Sequence, residues 1–295
     1  MKKRKVKKIF TWVIIGLILL GIGFLFTIPL LVTNQMANGH VDFEKVWQAE
    51  EFGLEAGHFF VETEDGLKIS AWKVSAEKPK AIVICLSGIH NPSATAFFGH
   101  ARMFREHNYS TILFDMRAHG QSEGDVICLG YREPRDTRAI VKHIKSDPGL
   151  LELPIVVFGL SMGGVTAINS MAEIPEIDAL VSLSAYSAWE DIFYENMARQ
   201  APPSLAKTVK AFVPLAAVAK YRVNVWKHRP KKAIEKLSRR PALLMHSKED
   251  TQVSFANFER IMHHAPAHAE AFVREGDNHF VTPHFTEPEK DTVYA

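Results

Sequence analysis

The chain has 295 residues, 35 Lys and Arg against 33 Asp and Glu, and a formal net charge of +2. That balance gives no argument for a nucleic-acid partner, and with only two cysteines, Cys85 and Cys128, the chain is not a disulfide-stapled scaffold. With the N-terminal segment set aside, about 255 residues remain, which suits one large α/β domain.

The basic residues that do cluster stand at the start: Lys2, Lys3, Arg4, Lys5, Lys7 and Lys8. Directly after them Ile9 to Val32 is apolar except for Thr11 and Thr27. As a helix this run spans roughly 36 Å, enough for a hydrocarbon core of about 30 Å with some tilt. A cleaved signal peptide needs an apolar core of only about 7–15 residues and a small-residue cut site. Gln35-Met36-Ala37 is a poor such site, and no lipobox cysteine is present. The expectation is therefore an uncleaved signal anchor: residues 1–8 a cytoplasmic tail, 9–32 the single membrane span, and the rest on the extracytoplasmic side of the cell membrane. The positive-inside rule sets that orientation, because no further Lys or Arg follows until Lys45. Trp12 is placed for the inner interface.

Residues 33–57 read as a polar, partly helical stalk, and residues 58–295 as the main domain. His58–Thr63 and Leu67–Trp72, separated by Glu64-Asp65-Gly66, give a hairpin signal. The pattern then alternates. Ala81–Leu86 is a buried strand, Ser93–His107 a helix, Ser110–Asp115 a strand and Arg132–Lys145 a helix. Pro154–Phe158 is a strand, Ser161–Ala172 a helix and Ala179–Leu183 a strand. After a helical stretch over about 186–240, expected as a small cap, the alternation resumes with strand Pro241–His246, helix Val253–His264 and strand Glu270–Arg274. Short apolar strands alternating with helices predict an α/β fold with a mostly parallel sheet. The buried setting of Cys85 favours two free thiols. His263, His264 and His268 match no metal-ligand spacing, so no metal is expected.

Gly159-Leu160-Ser161-Met162-Gly163 lies between the strand and the helix of one such unit. A Gly-x-Ser-x-Gly turn in that setting is a nucleophile elbow. Gly159 and Gly163 are needed because side chains there would collide with the neighbouring strand and helix. Gly120-Gln121-Ser122-Glu123-Gly124 has the same pattern but follows a polar stretch, so Ser122 reads as a loop residue on the rim of the site.

A serine hydroxyl needs a base in reach, and the base an orienting carboxylate. Asp250 and His279 follow Ser161 in the chain, each in a loop after a strand, at the sheet edge where ligands bind in open parallel sheets. Competitors are Glu249, which points the other way if the loop is extended, and Asp277 for the acid, with His90, His100 and His119 for the base. The oxyanion needs preorganised N–H donors. Met162 and Ile89 are assigned, with Gly88 a close alternative to Ile89. Gly88, His90, Tyr186 and Trp189 are candidate pocket residues.

These residues resemble the α/β-hydrolase superfamily, and within it the membrane-anchored Bem46-like and serine-aminopeptidase-like (S33) hydrolases. The matching segments are Asp115-x-Arg117-x-His119-Gly120-x-Ser122-x-Gly124, Gly159-x-Ser161-Met162-Gly163-Gly164, Tyr221-Arg222-Val223-Asn224, His246-x-x-x-Asp250-x-x-Val253 and Gly276-Asp277-Asn278-His279. The resemblance implies a serine hydrolase with an α/β-hydrolase fold over about residues 58–283. Ser87-Gly88 and His246-Ser247 stand where the family often has His-Gly. The tail after His279 is too polar and proline-broken for the helix with which the family usually ends.

Three functions follow as expectations. The first is a membrane-tethered hydrolase of an ester or thioester, with an acyl or other small-molecule ester substrate and no cofactor. The second is an aminopeptidase or amidase with the same triad, its substrate amine held by Glu190, Asp191 or Glu195. The third is a surface-anchored domain that only binds.

Overall fold

The computed structural model describes residues 2–276 and 278–291. Asp277, the alternative acid, lies outside them. Helix α1 (Lys2–Ala37) carries the apolar run, and Lys7–Ala37 is long and apolar enough to cross a membrane. From Ile9 to Phe24 its side chains face outward almost throughout. Beyond that point Leu25, Pro29, Thr33 and Ala37 turn toward the rest of the protein. Their spacing of four puts them on one stripe of the helix.

The segment expected as a stalk lies against the main domain instead of standing free. Asn38 and Val41 form β-bridges with Val126 and His119. The ring of His40 bonds to the carbonyls of Gly120 at 2.8 Å and Gly124 at 3.0 Å. A 3₁₀ turn at Ala49–Phe52 buries Phe52, and Leu54 is buried just after it. These apolar residues have no regular period, so nothing in the local sequence marks the segment as packed.

Strands β1 (Gly57–Glu62), β2 (Lys68–Val74) and β3 (Ala81–Leu86) lead to α2 (Phe98–Glu106) and β4 (Tyr109–Phe114). Then come α3 (Pro134–Ser146), β5 (Ile155–Leu160), α4 (Met162–Glu173) and β6 (Ala179–Leu183). Four helices follow: α5 (Trp189–Ala198), α6 (Pro203–Lys210), α7 (Val213–Tyr221) and the short α8 (Pro230–Ala233). The chain then forms β7 (Ala242–Ser247), α9 (Phe255–His264) and β8 (Glu270–Arg274). The eight strands make one sheet in the order β1-β2-β4-β3-β5-β6-β7-β8. Among the described residues only β2 runs against its neighbours; every pairing from β4 across to β8 is parallel.

β3 shows why its apolar run is continuous. Ile82, Ile84 and Leu86 pack into the core on one face of the sheet, with Ile140 of α3 and Ile168 of α4. Val83 and Cys85 pack on the other face, with Phe98 and Ala101 of α2. A strand covered on both faces by crossover helices cannot alternate with polar residues.

Among its described residues the polar tail forms a 3₁₀ turn, Pro288–Lys290, which covers α2. Phe285 packs on the rings of Phe97 at 4.9 Å and His100 at 4.7 Å. Asp291 accepts hydrogen bonds from Arg274 and Thr282, both at 2.6 Å. The contact with α2 is close enough to require Gly99, where a Cβ would come within 2.0 Å of the Thr286 carbonyl oxygen.

Candidate active site

β5 runs without a break into Ser161, which precedes the first residue of α4. Ser161 has φ 55° and ψ −116°, a conformation that costs a non-glycine residue about 1–3 kcal/mol. Two backbone bonds hold it there. Its N–H donates to the Leu183 carbonyl at the end of β6 at 2.8 Å, and its own carbonyl accepts from Val165 at 3.0 Å. The flanking glycines are set by contact. A Cβ on Gly159 would lie 2.2 Å from the Gly163 carbonyl oxygen, and one on Gly163 would lie 2.2 Å from that of Leu86. Ser161 is thus pressed against the ends of β3 and β6 and remains 8% exposed.

Asp250 and His279, far apart in sequence, meet in the loops after β7 and β8. His279 Nδ1 lies 2.8 Å from Asp250 Oδ2. The other carboxylate oxygen, Oδ1, accepts the backbone N–H groups of Gln252 at 2.8 Å and Val253 at 2.9 Å. Burial pushes the Asp250 carboxyl up, but the hydrogen bond and charge of His279 and the Val253 N–H outweigh it, and the group sits below the usual carboxylate range. An ionised carboxylate only accepts, so the proton of this pair belongs on His279 Nδ1.

His246 is a member of this neighbourhood that sequence reasoning did not assign. Its Nε2 bonds to the Val253 carbonyl at 2.8 Å and lies 3.6 Å from Asp250 Oδ2. Burial lowers its pKa, so the ring is neutral and braces the turn that presents Asp250. The signal for it was its place in the His246-x-x-x-Asp250-x-x-Val253 segment, four residues before Asp250.

The loop after β3 comes close to Ser161 on its other side. A Cβ on Gly88 would lie 3.6 Å from Ser161 Cβ and 3.2 Å from the Asn91 carbonyl oxygen. Ser87, in the position where the family often has His, donates its hydroxyl to the Pro92 carbonyl and closes the loop on itself. The backbone N–H of His90 donates to His119 Nε2 at 3.3 Å, and His119 Nδ1 donates to the Arg117 carbonyl at 2.9 Å. Gly88 therefore lies against Ser161, Met162 follows Ser161 as the first residue of α4, and Ile89 follows Gly88 in the same loop. His119 stands behind the loop and is 2% exposed.

Ser122 is 1% exposed and does not stand on a rim. Its hydroxyl donates to the Asp115 carbonyl and accepts the Ser70 N–H at 2.9 Å, pinning the loop after β4 to β2. Arg117 in the same motif is equally structural, forked between Asp136 at 2.6 Å and Asp65 at 2.9 Å. His100 is buried among Phe97, Phe158 and Phe285, and burial lowers its pKa to about 3. The ring of His90 bonds to the Met36 carbonyl at 2.8 Å, so it faces the end of α1. Tyr186 donates to the Leu129 carbonyl at 2.9 Å, and Trp189 Nε1 donates to Thr33 Oγ1 at 3.3 Å.

The serine aminopeptidase S33 family, Hydrolase_4, matches residues 77–279, the stretch from just before β3 to His279. The chain belongs to this family. YqkD, an uncharacterized protein of Bacillus subtilis, is 25% identical to this S33-family chain over 253 residues, 84% of this chain and 79% of YqkD. An esterase of Pyrococcus furiosus, Pf2001, is similar in structure with a TM-score of 0.65 at 25% identity, over 87% of this chain and 96% of its own. The α/β hydrolase GrgF of a Penicillium species shares the fold with a TM-score of 0.58 at 17% identity, over 77% of this chain and 91% of its own. The S33-family chain is thus an α/β-hydrolase and an enzyme of the esterase-like serine hydrolase type.

Proposed function

We propose that this enzyme is anchored in the cell membrane by α1 and cleaves an ester or thioester through Ser161, His279 and Asp250. The observation that carries the reading is the 2.8 Å bond between Asp250 and His279, formed across the loops after β7 and β8, in a chain that also holds Ser161 in a strained turn at the end of β5. His279 Nε2 takes the proton of Ser161 Oγ as that oxygen attacks the substrate carbonyl carbon. The negative charge then develops on the carbonyl oxygen, where the backbone N–H groups of Met162 and Ile89 stabilise it. The bond from that carbon to the leaving oxygen or sulfur breaks, and His279 returns the proton to the alcohol or thiol. Water repeats the sequence on the acyl-enzyme, releases the acid and restores Ser161. Asp250 holds the imidazole in the required tautomer and stabilises the imidazolium.

The same three residues would serve an aminopeptidase, but no carboxylate among those weighed for a substrate amine is left without a cation. Glu190 pairs with Arg229 at 2.6 Å, and Glu195 with Arg260 at 2.7 Å. Asp191 is shared by Lys210 at 2.6 Å and Lys231. That favours the ester reading. The test is turnover of short p-nitrophenyl esters against aminoacyl p-nitroanilides by the full-length protein and its Ser161→Ala variant. Ester hydrolysis that disappears in the variant supports the reading; hydrolysis of the anilides alone would replace it.

A further inference from the structure

Helix α1 is also part of a cavity. A half-open cavity of about 410 Å³ lies between the C-terminal part of α1 and α5, within the roughly 300–1,000 Å³ of small-molecule sites. Its apolar walls are Ile28, Val32 and Met36 from one stripe of α1, and Trp189, Phe193 and Met197 from α5. Asn196 and Gln200 add polar groups. The helix is fastened here by the Trp189–Thr33 bond and by Lys220, which donates to Asn34 at 2.8 Å and to Asn38.

The height of the cavity follows from the length of the helix. About 20 helical residues cross a hydrocarbon core of roughly 30 Å. Counted from Ile9, the first residue after the basic cluster, they end at Ile28, the first residue of the cavity wall. With the span taken as residues 9–32, Ile28 and Val32 stand at its outer end and Met36 just beyond it, so the cavity straddles the outer boundary of the bilayer. At Met36 it meets the loop beside Ser161, because the Met36 carbonyl accepts the hydrogen bond from the ring of His90, which follows Ile89. Trp189 continues inward by packing on Tyr186, ring centroids 6.3 Å apart, just beyond the end of β6.

We infer that this cavity receives the acyl chain of a lipid ester taken from the membrane, with the anchor helix as one of its walls. The inference rests on the ester reading above and adds to it the class of substrate. Each buried methylene contributes roughly fourfold to binding, so a filled cavity favours long chains steeply.

The test uses full-length protein in lipid nanodiscs and p-nitrophenyl esters from acetate to laurate. The quantity read is the ratio of kcat/KM for laurate to that for acetate. Val32→Trp, which fills the cavity from the α1 side, should lower this ratio at least about tenfold, and Val32→Ala should shift the preferred chain to greater length. A ratio unchanged in both variants would overturn the inference while leaving the ester reading in place. A wild type that cleaves none of the esters would overturn the ester reading itself. A diazirine-bearing C12 fatty acid gives a readout independent of turnover: photolabel on peptides containing Met36 or Met197 supports the site, and label found only elsewhere contradicts it.

Discussion

His119 holds the backbone of His90 through its Nε2 at 3.3 Å, and so ties the loop beside Ser161 to the loop after β4. The bond requires a neutral ring, since Nδ1 already donates to the Arg117 carbonyl. Burial supplies that condition by lowering the pKa of His119 to about 4. An exposed histidine titrates near 6.5, so as pH falls the unfolded chain takes up this proton before the folded one. The stability contributed by His119 is complete above about pH 6.5 and drains away between there and pH 4, by up to about 1.4 kcal/mol per pH unit. The difference in Tm between wild type and His119→Gln should therefore shrink as pH is lowered from 7 to 4. Parallel Tm curves would contradict this linkage.

Asp250→Asn keeps the size of the side chain but cannot hold His279 in the same tautomer. Turnover should fall by about 10⁴ while folding is retained. Because the Asp250 carboxyl sits below the usual range, it contributes stability at neutral pH that is lost only as pH drops through the acidic carboxylate range. Steady-state kinetics and Tm on the same preparation separate the two effects.

Ser122 of the Asp115–Gly124 motif, and Asp136 as the partner of Arg117 in that motif, should affect stability rather than chemistry. Ser122→Ala leaves the buried Ser70 N–H without its acceptor, at a cost of about 1–3 kcal/mol. Asp136→Ala removes one of the two partners of Arg117, whose side chain is only 3% exposed, and should cost about 3–5 kcal/mol. Thermal unfolding measures both.

The sheet was legible because its central strands are continuous apolar runs. Ala81–Leu86 stands in the structure with the bounds expected of it, and so do Ala179–Leu183 and Glu270–Arg274. That Asp250 and His279 meet was legible by position, since a loop leaving a parallel strand has one edge of the sheet to face. What local sequence did not show depends on distant partners. Ser122 shares a motif with Ser161, but its environment is made by Ser70, 52 residues away. The packing of residues 38–54 depends on Gly120, Gly124 and Val126, and the role of His90 on Met36, 54 residues earlier. No period or spacing carries such contacts.

The proposed anchor makes a topological prediction. Protease added outside intact spheroplasts should digest the domain and leave a protected fragment containing the basic start of α1. A domain digested only after lysis would place it on the cytoplasmic side and reverse the orientation.

The most direct measurement of the central claim is fluorophosphonate labelling of the full-length protein, with the modified peptide mapped by mass spectrometry. The proposed triad predicts one adduct, on Ser161, absent from Ser161→Ala and retained in Ser122→Ala. A folded wild type that takes no label, or an adduct that persists in Ser161→Ala, would contradict it.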